Sequence, residues 1–103
     1  MSNTRLETLK SLSAQNPQDS FLRYGLAMEY RNAGDLESAL REFQGLMEAN
    51  PDYCATYFHA GQTLERMGRG EEARAVYEKG IDVTQRKGDM HARSELQGAL
   101  DLL

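Results

Sequence analysis

The sequence contains no tryptophan, one cysteine and two prolines among its 103 residues. Valine occurs twice and isoleucine once, and no stretch alternates apolar and polar residues for long. Because alternating runs rich in β-branched residues are the main signal for strands, this scarcity argues against a β-sheet protein. Leucine, alanine, glutamate, arginine, glutamine and methionine dominate instead, and these residues favour helices.

Three further absences limit where the protein works and what it binds. A single cysteine, Cys54, has no partner for an internal disulfide, so we expect a reducing, cytoplasmic location. No apolar run approaches the roughly 20 residues that span a bilayer, and the N-terminus lacks the basic start and apolar core of a secretory signal. The net charge of −4 argues against a nucleic-acid partner, because such binders carry a basic face.

Helix-breaking residues divide the sequence at regular intervals. A residue before proline avoids helical angles, so Asn16 and Asn50 are predicted to end helices. Gly34 and Gly68 suit the left-handed position just beyond a helix C-terminus, and aspartates that follow glycine, as at Asp89, suit N-caps. These breaks predict six helices, at about residues 3–15, 18–33, 36–49, 53–67, 71–86 and 89–102.

Apolar residues recur at intervals of three and four in each predicted helix. In the third helix they fall at Leu36, Ala39, Leu40, Phe43 and Leu46. This spacing places them on one stripe, and no helix is apolar all round, so each is expected to be half-buried. Because the links between helices are short, neighbouring helices are predicted to lie antiparallel.

A segment of the sequence recurs after 34 residues. NAGDLESALREF, at residues 32–43, aligns with RMGRGEEARAVY, at residues 66–77. The matched pairs are Gly34 with Gly68, Glu37 with Glu71, Ala39 with Ala73, and Phe43 with Tyr77. The two prolines, Pro17 and Pro51, are separated by the same interval. Self-similarity at a fixed period indicates a stack of repeated supersecondary units.

The pattern resembles the tetratricopeptide repeat, a helix–turn–helix unit of about 34 residues that stacks with its copies. One unit begins at Ser20 and another at Cys54. The family's small and large positions are occupied by Leu26, Ala27, Tyr30, Gly34, Ala39, Phe43 and Pro51 in the first unit, and by Tyr57, Ala60, Gly61, Leu64, Gly68, Ala73 and Tyr77 in the second.

The resemblance implies an all-α fold of antiparallel helix–turn–helix repeats, stacked as a short right-handed superhelix of about six helices. A single domain, residues 1–103, is expected. It comprises an N-terminal half-repeat helix at 1–17, full repeats at 20–53 and 54–87, and a C-terminal capping helix at 88–103.

The chain departs from the family pattern at two positions. Arg23 stands where the first unit usually has an aromatic residue, and Gln85 stands where the second unit usually has proline. Without that proline the fifth helix can run on, which leaves the register of the last helix open by one or two residues. Leu102 and Leu103 follow, either as core fill under the last turn or as a self-association surface.

The sequence has no recognisable catalytic or metal-binding motif, so we expect a protein that is not an enzyme and has no cofactor or metal. His59 and His91 fall in different units and would have to converge with Cys54 to form a metal site. Cys54 begins a helix, where the macrodipole lowers a thiol pKa, but no base is identifiable beside it. The Glu71-Glu72 pair is explained by the N-terminus of its helix.

In this family the first helices of the units line a concave groove that usually binds a peptide or helix of a partner. The resemblance assigns this groove to Phe21, Tyr24, Gly25, Met28, Arg31, Asn32, Ala55, Phe58, His59, Gln62, Glu65 and Arg66. Aromatic and methionine side chains are enriched at interface cores, which favours apolar recognition here. Gly25 would leave room for a ligand side chain, and Arg31, Glu65 and Arg66 would form a charged rim. The alternative is that an end helix folds over these residues.

One subclass of the family captures the C-terminal carboxylate of chaperones with lysine, asparagine and arginine. The equivalent positions here are Tyr24, Met28 and His59, so the resemblance implies apolar or mixed recognition instead.

Two functions follow: an adaptor that binds a protein or peptide in the groove, or a homo-oligomeric assembly module that associates through the groove or its terminal helices. An enzyme or cofactor carrier and an RNA-binding repeat are less favoured.

Overall fold

The computed structural model describes residues 3–103, so the first two residues of the predicted half-repeat lie outside the described part of the chain. The all-α prediction is confirmed. The helices are α1 Thr4–Gln15, α2 Ser20–Asn32, α3 Leu36–Ala49, α4 Ala55–Arg66, α5 Gly70–Lys87 and α6 Met90–Asp101.

The predicted turn and cap residues have the expected geometry. Gly34 has φ of 86° and Gly68 has φ of 76°, so both occupy the left-handed region that glycine reaches without steric cost. Asp35 and Asp89 act as N-caps, because each carboxylate accepts a hydrogen bond of 3.1 Å from the backbone N–H three residues later. The short connections between helices are therefore specified locally by the sequence.

Helix α5 extends further than its counterpart in the first repeat. It has 18 residues against 14 in α3, and it ends at Lys87 before Gly88. In the first repeat Pro51 stops α3, whereas Gln85 lets α5 continue as predicted. As a result the α6 N-cap, Asp89, lies 70 residues after the α2 N-cap, Asp19, instead of the 68 of two periods.

The helices form two sides of a curved stack. Each helix packs against its neighbours in the chain, and α4 also contacts α2 and α6. Helices α2, α4 and α6 therefore lie next to one another on one side, with α1, α3 and α5 behind them. This arrangement places the predicted groove residues of α2 and α4 on adjacent helices.

Small residues allow the helix pairs of each repeat to close around large ones. Ala27 and Ala39 are fully buried around Phe43 in the first repeat. In the second repeat Gly61 lies so close to Tyr77 that an added methyl group would overlap the ring. The core is therefore built by the small–large alternation that the family resemblance implied.

The position usually held by an aromatic residue is filled differently in the two repeats. Tyr57 fills the position in the second repeat and is fully buried. Arg23 fills it in the first, where its guanidinium lies over Gly45 and its Nε forms an ion pair of 3.2 Å with Glu42. Arginine thus replaces an aromatic ring here with a flat, charged group that remains partly solvated.

The two leucines at the C-terminus have different environments. Leu103 packs against the buried cluster that contains Tyr57 and Leu96, as core fill would require. Leu102 is 90% exposed, so the interpretation of core fill is wrong for this residue.

Candidate partner-binding groove

Helices α2 and α4 run in the same direction along the predicted groove. Near their starts, the rings of Tyr24 and His59 meet with a centroid distance of 5.7 Å. Near their ends, Arg31 and Arg66 line one cleft. The groove therefore has one end built from the first turns of both helices and another built from the last turns.

The first end carries an aromatic cluster, defined here as Tyr24, Tyr53, Phe58 and His59. The Tyr24 ring lies 5.8 Å from Tyr53, and Phe58 meets His59 edge-on at 5.4 Å. All four side chains are half-buried, so each keeps an exposed surface. Such rigid, amphipathic groups supply large contact areas at low entropic cost, which suits a binding surface.

The second end is an arginine cleft of about 270 Å³, lined by Arg31, Gln62, Glu65 and Arg66. Arg31 Nη1 lies 3.2 Å from His59 Nδ1, which links this cleft to the aromatic cluster. The Nε of Arg31 is buried and has no hydrogen-bond partner in the described chain. Glu65 accepts a hydrogen bond from the Tyr77 hydroxyl, which ties its carboxylate to the core side of the cleft.

Burial holds the titratable rings of the groove in their neutral forms. It is the main reason that the pKa of His59 lies below its ordinary value, and the neighbouring Arg31 lowers it further against the opposing effect of Glu95. Burial also raises the pKa of Tyr24 and of Tyr53. Because a guanidinium only donates, His59 Nδ1 accepts from Arg31, and the ring proton lies on Nε2.

The remaining predicted groove residues have varied environments. Phe21 is 72% exposed at the start of α2, while Ala55 and Asn32 are exposed at helix ends. Met28 packs against the buried cluster around Phe43. A methyl group on Gly25 would lie 3.7 Å from Leu9 Cδ2, so the space beside this glycine borders α1 instead of deepening the cleft between α2 and α4.

A second cleft, of about 190 Å³, lies between α4 and α6. Phe58 and His59 line it from α4, and Ala92 and Glu95 line it from α6. Sequence reasoning missed the α6 residues because the register of that helix depended on where α5 ends. It also missed Tyr53, which lies in the loop before α4, although an aromatic residue directly before a groove helix was an available signal.

Neither end helix lies across both α2 and α4. Within residues 3–103, α1 contacts α2 alone, and α6 contacts α4 and α5. Phe21 at the start of α2 is largely exposed, whereas Phe58 and His59 border α6.

The Cys54 thiol differs from the sequence-based expectation. Burial raises its pKa, with Asp89 and Asp52 adding to the effect, so the prediction of a lowered value is wrong. The Sγ donates to the Asp52 carbonyl at 3.6 Å.

Across the described residues, no group of three or more histidine, cysteine, aspartate or glutamate side chains could hold a metal ion. No helix formed by these residues is long and apolar enough to cross a membrane.

A family model described as tetratricopeptide repeat matches residues 22–53 and 55–87. The chain belongs to the tetratricopeptide-repeat family. It is 31% identical over 91 residues to a TPR repeat-containing protein of Pseudomonas aeruginosa, a match that covers 88% of this chain and 87% of that protein.

Solved structures show the same fold. A tetratricopeptide repeat domain protein from Salinibacter ruber is 40% identical, with a TM-score of 0.76 over 80% of this chain and 91% of that one. The fold of PcrH, solved in complex with the chaperone binding region of PopD, matches with a TM-score of 0.87 at 14% identity. That match covers 94% of this tetratricopeptide-repeat chain and 74% of PcrH.

Proposed function

We propose that this protein is a non-catalytic interaction module that binds a peptide or helix of a protein partner in the groove between α2 and α4. The observation that carries the proposal is the aromatic cluster, whose half-buried rings come from α2, from α4 and from the loop before α4. In the described part of the chain, helix α1 contacts α2 but not α4, and α6 lies beside α4 without contacting α2. PcrH, which shares the fold, is known in complex with a region of PopD, and this supports a similar use of the fold here.

The binding energy would come mainly from the aromatic side chains. Full burial of one large apolar side chain stabilises a complex by about 1.5–3 kcal/mol, and Phe21 and Phe58 both have surface left to bury. The groove residues on α2 and α4 that the family resemblance assigned are proposed as the contact surface, with Tyr53 added. A cytoplasmic setting and protein ligands fit the single free thiol and the acidic chain.

The groove assignment is tested by affinity capture with immobilised protein. We expect Phe58→Ala to reduce partner recovery strongly, because it removes a ring of the aromatic cluster that also lines the cleft between α4 and α6. Leu12→Ala is a matched control, since Leu12 is 39% exposed but lies on α1 outside the groove. Equal recovery by wild type and Phe58→Ala would contradict the groove assignment.

A second candidate function is self-association, favoured by exposed apolar residues near the two ends of the stack. Leu12 on α1, Met90 at the start of α6 and Leu102 after it are all exposed. If these surfaces join copies, light scattering should show a mass that increases with concentration, and Leu102→Ser should reverse the increase. A monomer at high micromolar concentration would rule out this function.

A further inference from the structure

The two ends of the α2–α4 groove differ in chemistry and lie a defined distance apart. His59, Gln62 and Arg66 follow one another at spacings of three and four along one face of α4, and Phe58 directly precedes His59. Phe58 and Arg66 are separated by eight residues, which corresponds to about 12 Å along a helix that rises 1.5 Å per residue. A ligand that spans the groove would therefore meet the aromatic cluster and the arginine cleft at positions about 12 Å apart.

The arginine cleft has unused capacity to bind a carboxylate. Neither Arg31 nor Arg66 has an ion pair with a carboxylate of the described chain, although the protein as a whole is acidic. Glu65 lines the same cleft and accepts from Tyr77, so the cleft holds two guanidinium groups against one carboxylate. The buried Nε of Arg31 lacks an acceptor, and an unsatisfied buried donor is costly. Paired guanidinium groups bind carboxylates well because their donors form a planar fork.

Helix electrostatics alone would also favour an arginine at each position. Arg31 and Arg66 stand in the last turns of α2 and α4, where a cation interacts favourably with the helix dipole. That effect accounts for a basic residue on each helix, but it does not require both to line one cleft or Arg31 to reach His59 on the neighbouring helix. If Arg31 and Arg66 only interacted with the helix dipoles, replacing them would lower the stability of the protein but would not change which ligands the groove selects.

We infer that the groove binds an extended segment with an apolar side chain and an acidic side chain three or four residues apart. This inference rests on the proposed function. An extended chain advances about 3.3 Å per residue, so that spacing covers the distance between the two ends of the groove. The apolar side chain packs on the aromatic cluster, and the carboxylate accepts hydrogen bonds from Arg31 and Arg66. Glutamate or aspartate within an apolar segment, not a free C-terminus, is the recognised group.

Selection of random twelve-residue peptides displayed on phage tests this directly. Wild type should enrich peptides with an aromatic or aliphatic residue three or four positions from an aspartate or glutamate. The Arg31→Gln/Arg66→Gln variant should lose the acidic preference and keep the apolar one. Arg74→Gln is the matched control, because Arg74 is an exposed arginine on α5 with no ion pair in the described chain, and it should select the wild-type consensus.

A selected peptide then gives a quantitative measurement. Replacing its acidic residue by the corresponding amide should weaken binding to wild type about tenfold, and should have little further effect on the Arg31→Gln/Arg66→Gln variant. Thermal unfolding of the variants shows whether they remain folded.

The possible outcomes separate the inference from the proposed function. Apolar peptides without acidic enrichment, or an apolar–acidic spacing of seven or eight residues, would overturn the inference and leave groove binding standing. Failure to select any peptide, or selected peptides whose affinity is unchanged by Phe58→Ala, would contradict the proposed function itself.

Discussion

At the position that usually holds an aromatic residue, the first repeat has an ion pair and the second has a buried ring. Arg23 lies over Gly45 and pairs with Glu42, while Tyr57 occupies the corresponding position with no exposed surface. The backbone hairpins are alike, so the fold does not depend on the identity of this residue. What the two repeats share is the contact of small residues with a large one at the centre of each pair.

The largest expected effect comes from removing the ring of Tyr57, which stands at the position that Arg23 holds in the first repeat. Tyr57→Ala should destabilise the protein by about 3–5 kcal/mol, because it leaves a cavity among buried residues. Arg23→Ala should cost about 1 kcal/mol or less, because its ion pair is partly exposed to water. Urea unfolding followed by circular dichroism measures both, and equal losses would show that the two positions contribute alike.

A smaller effect is expected from filling the close contact in the second repeat. Gly61→Ala should destabilise the protein by about 1–3 kcal/mol, because the added methyl group overlaps the Tyr77 ring. Gly98→Ala is the control. No atom would lie within 4 Å of its new methyl group, and it should stabilise α6 by about 0.5–1 kcal/mol through helix propensity.

The smallest expected effect is a pH dependence of the unfolding free energy, caused by His59 of the second repeat, which contacts Arg31 of the first. Its pKa in the folded protein is lowered by burial and by Arg31, so the unfolded chain takes up the proton first as the pH falls. The stability contributed by neutral His59 is therefore complete above about pH 6.5, the ordinary histidine value, and declines as the pH falls below it.

His59→Gln should remove this part of the pH dependence. The difference between the unfolding free energies of wild type and variant, measured at pH 7 and pH 5, isolates the effect from the other titrating groups. A difference that stays constant between the two pH values would contradict the assignment of a lowered pKa to His59.

Much of the fold could be predicted because its signals are local. Gly34 and Asp35 specify a turn and a cap within two residues, and Pro51 stops α3 wherever the rest of the chain lies. The end of α5 was harder, because the missing proline left its length undetermined between Gln85 and Gly88. The register of α6 was therefore also undetermined, and the cleft between α4 and α6 could not be predicted.

The candidate site could be predicted only in outline. Position within the repeat assigned Tyr24 and His59 to one surface, but their ring contact depends on how α2 packs against α4. The approach of Arg31 to His59 depends on the path of a long side chain, for which sequence spacing carries no signal. The repeat position of Gly25 predicted that it lies in the groove. The space beside it borders Leu9 of α1, and this contact depends on how α1 packs, which position within the repeat does not specify.

The central claim is that the groove between α2 and α4 binds the partner. Titration of a selected peptide into isotope-labelled protein, followed by NMR, tests it most directly. The largest shifts should fall on the resonances of Tyr24, Phe58, His59 and Arg66, and the resonances of the outer α5 residues, such as Arg74, should not move. Shifts concentrated on α5, or none at saturating peptide, would contradict it.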